Sequence, residues 1–151
     1  MPGHLLRRCQ QIAVAIFHDE CDAFELTPLQ FALLDSLATT GPQDQVTLGG
    51  ATALDRTTIS VVIRKLEQRG LLRREKSSRD QRANIVSISA EGKRLLATAR
   101  PAVEAAQRRI VAPLEPDERR KLLELLEKLA DGNNALSRAP EISRRDDDRS
   151  G

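Results

Sequence analysis

Aromatic side chains are almost missing: Phe17, Phe24 and Phe31 stand alone, with no Trp and no Tyr. Proteins that hold single-stranded nucleic acid stack bases on aromatic platforms, so this scarcity speaks against that class. Cysteine is equally sparse. Cys9 and Cys21 form no C-x-x-C pair, and on one helix they lie about 18 Å apart, too far to bridge within the chain. They read as two free thiols of a reducing compartment. No apolar run approaches the roughly 18 residues that a membrane span needs. The opening MPGHLLRRCQQ lacks the long apolar stretch of a signal peptide, so the expected location is cytoplasmic. The phosphate loop, G-x-S-x-G and H-E-x-x-H are all missing, and neither His4 nor His18, the only imidazoles, has a nucleophile placed for it. An enzyme is therefore the weakest expectation.

What is present is an uneven distribution of charge. The 151 residues carry a net charge of only +2 and suffice for one domain with a core. Between Asp55 and Arg94, however, eleven basic side chains face five acidic ones. This basic middle lies between acidic flanks, which suggests a local polyanion contact; with stacking aromatics missing, duplex DNA is the expected one.

Hydrophobic periodicity divides the chain into six helices and a hairpin. Residues 4–22 form the first helix, with Leu5, Leu6, Cys9, Ile12, Ala13, Ile16 and Phe17 at three- and four-residue steps. LTPLQFALLDSLATTG is the second: Thr27 caps it, Pro28 suits its first position, and Gln30 completes a capping box. VTLGGATAL is a short third helix with Thr47 as the expected cap. Gly49 and Gly50 lower its propensity, which implies close approach by another helix. DRTTISVVIRKLEQRG is the fourth, with Asp55 as N-cap, Gly70 as stop, and Ile59, Val62, Ile63 and Leu66 on one buried stripe. LLRREK and the alternating Ile85–Ile88 flank the polar tip SSRDQRA and make the hairpin. A fifth helix follows, capped by Ser89 and expected to kink at Pro101. The sixth runs through PDERRKLLELLEKLADG, with Gly132 past its end. The charged, aperiodic stretch from Ser137 onward is expected to be disordered.

The third and fourth helices, with a tight break near Leu54, read as a helix-turn-helix. Burying the fourth helix's apolar stripe leaves Thr57, Val61, Arg64 and Gln68 facing outward, flanked by Arg56, Thr58, Ser60 and Lys65. Small residues at the leading end let such a helix sink into the major groove. There Thr and Ser bond base edges or phosphates, Val61 meets a thymine methyl and Arg64 pairs with guanine. The hairpin that follows makes the unit a winged helix. Its tip holds Arg79 and Arg82, suited to the narrow, negative minor groove, and Asp80, expected to hold an arginine or the loop by an ion pair. The same surface could instead dock a protein.

LTPLQFALLDSL and QVTLGGATALDRTTISVVIRKLEQRGLLRREKSSRDQRANIVSISAEGKRLL resemble the MarR family of bacterial transcription regulators. The resemblance is sharpest in the wing: Asp80-x-Arg82, alternating apolar residues, then a hydroxyl residue ahead of Glu91 and Gly92. Ser89 stands where the family usually has Thr. The resemblance implies a mainly α fold with a small β-hairpin wing, built as an obligate dimer that binds a palindromic operator on the bacterial nucleoid. Such proteins act usually as repressors and are released by a small ligand or by oxidation.

The division expected is an N-terminal dimerisation helix over 1–24, a DNA-binding domain over 25–96, C-terminal dimerisation helices over 97–136, and the tail. Independently of the resemblance, Leu122, Leu123, Leu125, Leu126 and Leu129 give the sixth helix too wide an apolar face for a lone surface helix. Two recognition helices of a dimer would meet successive major grooves about 34 Å apart.

Three switches are conceivable. On the first helix His4, Arg8, Gln11, Ala15, His18 and Asp22 fall on one stripe. His4, Arg8, Gln11 and His18, with Phe17, Phe24 and Phe31 as apolar wall, are candidates to hold a small aromatic carboxylate or phenolate; an ordinary solvated face is the alternative. HDECD, His18 to Asp22, has metal-ligand types at i, i+3 and i+4, though no metal or other cofactor is assigned. Cys9, beside Arg7 and Arg8, or Cys21 is a candidate peroxide-reactive thiol.

Overall fold

The computed structural model describes residues 1–80 and 82–136. The first helix, α1, spans Pro2–Cys21 and passes through a 3-10 turn, Asp22–Phe24. Helix α2 covers Pro28–Thr40, strand β1 Gln43–Asp44, α3 Gln45–Ala51 and α4 Arg56–Gln68. Strands β2, Leu72–Lys76, and β3, Asn84–Ile88, form the wing, followed by α5, Ala90–Ile110, and α6, Pro116–Gly132. The expected tail beyond Ser137 lies outside the described residues.

The local signals act as anticipated at several ends. Thr27 Oγ1 accepts from Gln30 N while Gln30 Oε1 accepts from Thr27 N, each at 3.1 Å, so the box closes α2 reciprocally. Asp55 accepts from Thr58 N at 2.9 Å and starts α4. Gly70, at φ +72°, ends it, with Leu71 N reaching back to the Leu66 carbonyl in a Schellman closure. Ser89 caps α5 by accepting from Gly92 N at 3.0 Å. Helix α5 continues through Pro101.

Two ends differ from expectation. Helix α3 is capped by Asp44, not Thr47: Asp44 accepts from Thr47 N at 2.8 Å and from the Thr47 hydroxyl at 2.7 Å. An ionised carboxylate that starts one turn earlier satisfies the orphan amide better than a hydroxyl inside the first turn. Gly132 is the last residue of α6 and Asn133 its C-cap, with the Asn133 side-chain amide donating to the Leu129 carbonyl.

The wing hairpin gains β1 as a third strand, giving a sheet in the order β1-β3-β2, all antiparallel. Leu72 pairs with Ile88 and Lys76 with Asn84, while Gln43 and Asp44 add a short edge opposite Val86 and Ile85. Two residues carry no periodic signal, so β1 exists only because the chain before α3 is brought beside β3.

The main core gathers one face of every element around the helix-turn-helix: Leu33, Leu34 and Leu37 from α2, Leu48 from α3, Ile63 and Leu66 from α4, Leu72, Val86 and Leu96. A smaller cluster of Phe17, Cys21 and Val103 joins α1 to α5. Phe24 and Phe31 pack against both clusters and sit at the junction of the two lobes. At the wing's foot the Ser89 hydroxyl donates to the Gly70 carbonyl at 2.6 Å and Ser89 N to the Leu71 carbonyl at 3.0 Å. These bonds fasten the hairpin to the start of α5.

Much apolar surface stays uncovered in the single chain. Leu5, Leu6 and Ile12 on α1 and Leu123, Leu125, Leu126 and Leu129 on α6 are exposed, and no residue of α6 is buried. The contiguous leucines of a terminal helix are therefore not core of this subunit.

Candidate nucleic-acid interface

The recognition surface begins at the α3–α4 turn. Helix α3 ends in the same Schellman closure as α4, with Leu54 N reaching the Gly49 carbonyl at 2.8 Å and Ala53 N the Gly50 carbonyl at 3.2 Å. The left-handed residue here is Ala53, at φ +57°, where glycine is the ordinary occupant. Gly49 earns its place by proximity: a Cβ there would stand 3.2 Å from the Leu54 carbonyl and 3.8 Å from Ile59 Cγ2, so it admits the turn and α4.

Ile59, Val62, Ile63 and Leu66 are buried as expected, which sets the rotation of α4. Arg56, Thr57, Arg64, Lys65 and Gln68 are exposed, and Thr58, Ser60 and Val61 are half-buried. Ser60 is less free than its sequence position implies, because its Oγ accepts from Gln45 Nε2 at 2.8 Å. That bond ties α3 to α4 and leaves the hydroxyl proton available to a partner. Gln45 carried no sequence signal, since its partner is fifteen residues away.

The wing tip is held by its own backbone. Ser77 Oγ accepts from Arg79 N at 3.2 Å and Asp80 N at 3.4 Å, and Ser77 N donates to the Ala83 carbonyl at 2.9 Å. Asp80 Oδ1 accepts from Arg82 N at 3.0 Å. Asp80 therefore holds the loop through an amide and not through the expected guanidinium ion pair: the short carboxylate reaches a backbone N–H two residues on at little entropic cost. Arg79 and Arg82 are exposed. Arg56, Arg64, Lys65, Arg79 and Arg82 make no ion pair with another described residue.

The fold brings the start of α4 and the wing together. A cleft of about 300 Å³ is lined by Gln45, Val46, Gly49, Arg56, Ser60, Arg82 and Asn84, among others. Residues 26 positions apart, Arg56 and Arg82, thus serve one concave surface. Guanidiniums without an ion-pair partner among the described residues, beside small hydroxyl side chains on an exposed helix, match the chemistry of phosphate and base-edge contacts.

The candidate ligand residues are more dispersed. His4, Arg8, Gln11 and His18 are exposed along α1, while Phe17 is buried, its ring edge-on to His18 at 6.2 Å. Phe31 is half-buried beneath the Arg100 guanidinium, 5.8 Å from its centroid, and Arg100 bonds Asp35 at 2.6 Å. Arg109 bonds Asp19 and Glu20, at 2.5 and 2.8 Å, and these carboxylates raise its pKa. Cys9 is exposed and Cys21 buried; burial foremost, then Glu20, pushes the Cys21 thiol up, away from thiolate. Among the described residues no group of three His, Cys, Asp or Glu side chains is arranged to hold a metal ion. Nor is any described helix long and apolar enough to cross a membrane.

Comparison with known proteins agrees with this geometry. The HTH-type transcriptional repressor NicR of Pseudomonas putida is 34% identical over 131 residues, 87% of this chain and 83% of NicR. The structure of Bordetella bronchiseptica BpsR, whose DNA binding is regulated by 6-hydroxynicotinic acid, superposes with a TM-score of 0.83 at 34% identity, covering 87% of this chain and 94% of BpsR. The repressor CouR, solved on a 23-mer DNA duplex, superposes with a TM-score of 0.80 at 28% identity over 86% of this chain and 92% of CouR. The MarR family model matches residues 26–83, which run from just before α2 to the wing tip, just before β3. The recognition helix, the arginine-tipped wing and these likenesses converge on one assignment: the chain belongs to the MarR family of DNA-binding transcription regulators.

Proposed function

We propose that the protein is a homodimeric repressor that holds a palindromic operator in the bacterial cytoplasm and releases it when a small aromatic carboxylate or phenolate binds. The observation that carries this reading is the shared cleft of Arg56, Ser60 and Arg82, with the exposed face of α4 beside it. Thr57, Thr58, Val61, Arg64 and Lys65 enter the major groove; Arg79 and Arg82, aimed by Asp80, follow the minor groove. The uncovered leucines of α6 and the stripe of α1 pack on a second copy, which sets two such units on one face of the duplex. In this reading 1–24 and 97–136 serve dimerisation and 25–96 DNA, and no catalytic step is involved.

The ligand class is supported by the likeness to BpsR and its hydroxylated pyridine carboxylate. His4 and His18 lie about 21 Å apart along α1, so one small acid is held either by Arg8 with His4 and Gln11 or by His18 beside Phe17; Phe31 supplies apolar wall at the lobe junction, where a bound ring would bias one lobe against the other. Thiol sensing is disfavoured for Cys21 by its burial, which leaves Cys9 as the exposed thiol.

The test is binding-site selection from a random duplex pool, followed by anisotropy titration of the selected duplex in rising salt. Affinity should fall linearly on a log–log plot as phosphate contacts displace counterions. Arg82→Ala should weaken binding by about 1–3 kcal/mol. Aromatic acids should release the duplex, whereas zinc and peroxide should not. No selected site and no salt dependence would point to a protein-docking winged helix instead.

A further inference from the structure

Arg69 belongs to the basic segment, and charge alone would send it to DNA. The structure sends it elsewhere. It is the C-cap of α4, at the opposite end from Arg56 and Thr57, and its guanidinium turns onto the backbone 44 residues earlier. Nη1 donates to the Glu25 carbonyl at 2.7 Å and Nη2 to the Phe24 carbonyl at 3.2 Å. These two carbonyls lie at a joint that is one of two connections between the dimer-side helices and the winged lobe; the other is α5, with Leu96 and Ala99 in the winged lobe's core and Val103 in the α1 cluster. The 3-10 turn ends at Phe24, and Glu25 adopts a left-handed φ of +51° that a β-carbon disfavours. Phe24 touches both apolar clusters, and Leu26 is buried in the winged lobe's core. The joint is thus seated by apolar packing and fastened by one planar fork. Two bonds from one planar guanidinium to successive carbonyls restrain rotation as well as distance, which a lysine ammonium does not do.

We propose that Arg69 is a positioning residue for operator recognition: it locks the recognition helix to the joint leading to the dimer helices, and so sets which separation of half-sites the dimer accepts. The proposal rests on the dimeric DNA-binding reading above. The lever is long enough to matter. Helix α4 has 13 residues, about 20 Å. A tilt of about 10° at its Arg69 end carries the reading end through roughly 3.4 Å, one base-pair step. A lobe free to tilt that far would tolerate operators one base pair too long or too short.

The test uses the full chain, wild type beside Arg69→Ala and Arg69→Lys, each put through selection from a random duplex pool. Selected sites are then rebuilt with the half-sites one base pair closer or farther apart. Wild type should select a single spacing. Arg69→Ala should select a broadened set, with discrimination between native and altered spacings falling by roughly tenfold, while the salt slope and dimer mass stay as in wild type. Arg69→Lys should fall between the two. If Arg69→Ala fails to fold, Arg69→Lys alone carries the test, and unrelaxed spacing in it overturns the proposal. Unchanged discrimination in a folded Arg69→Ala overturns it too. So does a uniform loss across all duplexes with the salt slope reduced by about one, which would mark a phosphate contact. A wild type that selects no duplex defeats the DNA-binding reading itself.

Discussion

Gly92→Ala offers a sharp trial of how the wing is anchored, because two physical effects of opposite sign meet at one atom. Gly92 lies in the first turn of α5, where Ala has the higher helix propensity by up to about 1 kcal/mol. A β-carbon there would overlap the Leu71 carbonyl oxygen and stand 2.7 Å from Ile88 Cγ1 and 3.1 Å from the Leu71 carbonyl carbon. The obstacle is mostly backbone and cannot swing aside. Relief requires α5 to move off the start of β2, which strains the Ser89 N to Leu71 and Ser89 hydroxyl to Gly70 bonds. Overpacking of this kind costs about 1–3 kcal/mol, and each loosened bond about 1 kcal/mol more. The loss outweighs the propensity gain, for a net destabilisation of about 2–4 kcal/mol. In urea, with a slope of about 2 kcal/mol per molar, the midpoint should fall by roughly 1–2 M, measured at one fixed protein concentration since a dimer's stability depends on it. Gly132→Ala is the control. Its added carbon meets nothing within 4 Å, and it should raise stability by several tenths to about 1 kcal/mol. A Gly92→Ala midpoint equal to or above wild type would refute the reasoning.

Ala53→Gly should stabilise the chain by about 0.5–1 kcal/mol in thermal or urea unfolding, and Ala53→Val destabilise it, since the turn demands a left-handed residue there. Asp44→Ala should cost about 1 kcal/mol near neutral pH. The bonds from Thr47 N and the Thr47 hydroxyl hold the Asp44 carboxyl below its ordinary range, so its contribution is present above about pH 4 and lost as pH falls through the lowered value. The gap between wild type and Asp44→Ala should therefore shrink in urea titrations carried into that acid range, and a constant gap would contradict the assignment. Leu126→Glu with Leu129→Glu should yield a monomer in sedimentation with little operator affinity; a retained dimer would move the interface elsewhere.

The sequence by itself determined whatever depends on neighbours within a turn or two. The Thr27–Gln30 box, the Asp55 and Ser89 caps, the Gly70 stop and the stripe from Ile59 to Leu66 are all local, and each was legible from residue type and spacing. So was the family, because the wing pattern and the recognition helix sit in one continuous stretch. Only the tertiary structure decided the rest. Strand β1 needs β3, which lies about forty residues away. Gln45 finds Ser60 across the helix-turn-helix, Arg69 finds the carbonyls of Phe24 and Glu25, and Asp80 chooses an amide over a guanidinium. A planar guanidinium or a carboxamide advertises its bonding capacity in the sequence but not its partner. The partner is chosen when hydrophobic burial, which is strong and non-directional, has already brought distant segments together and left polar groups to find what lies within reach.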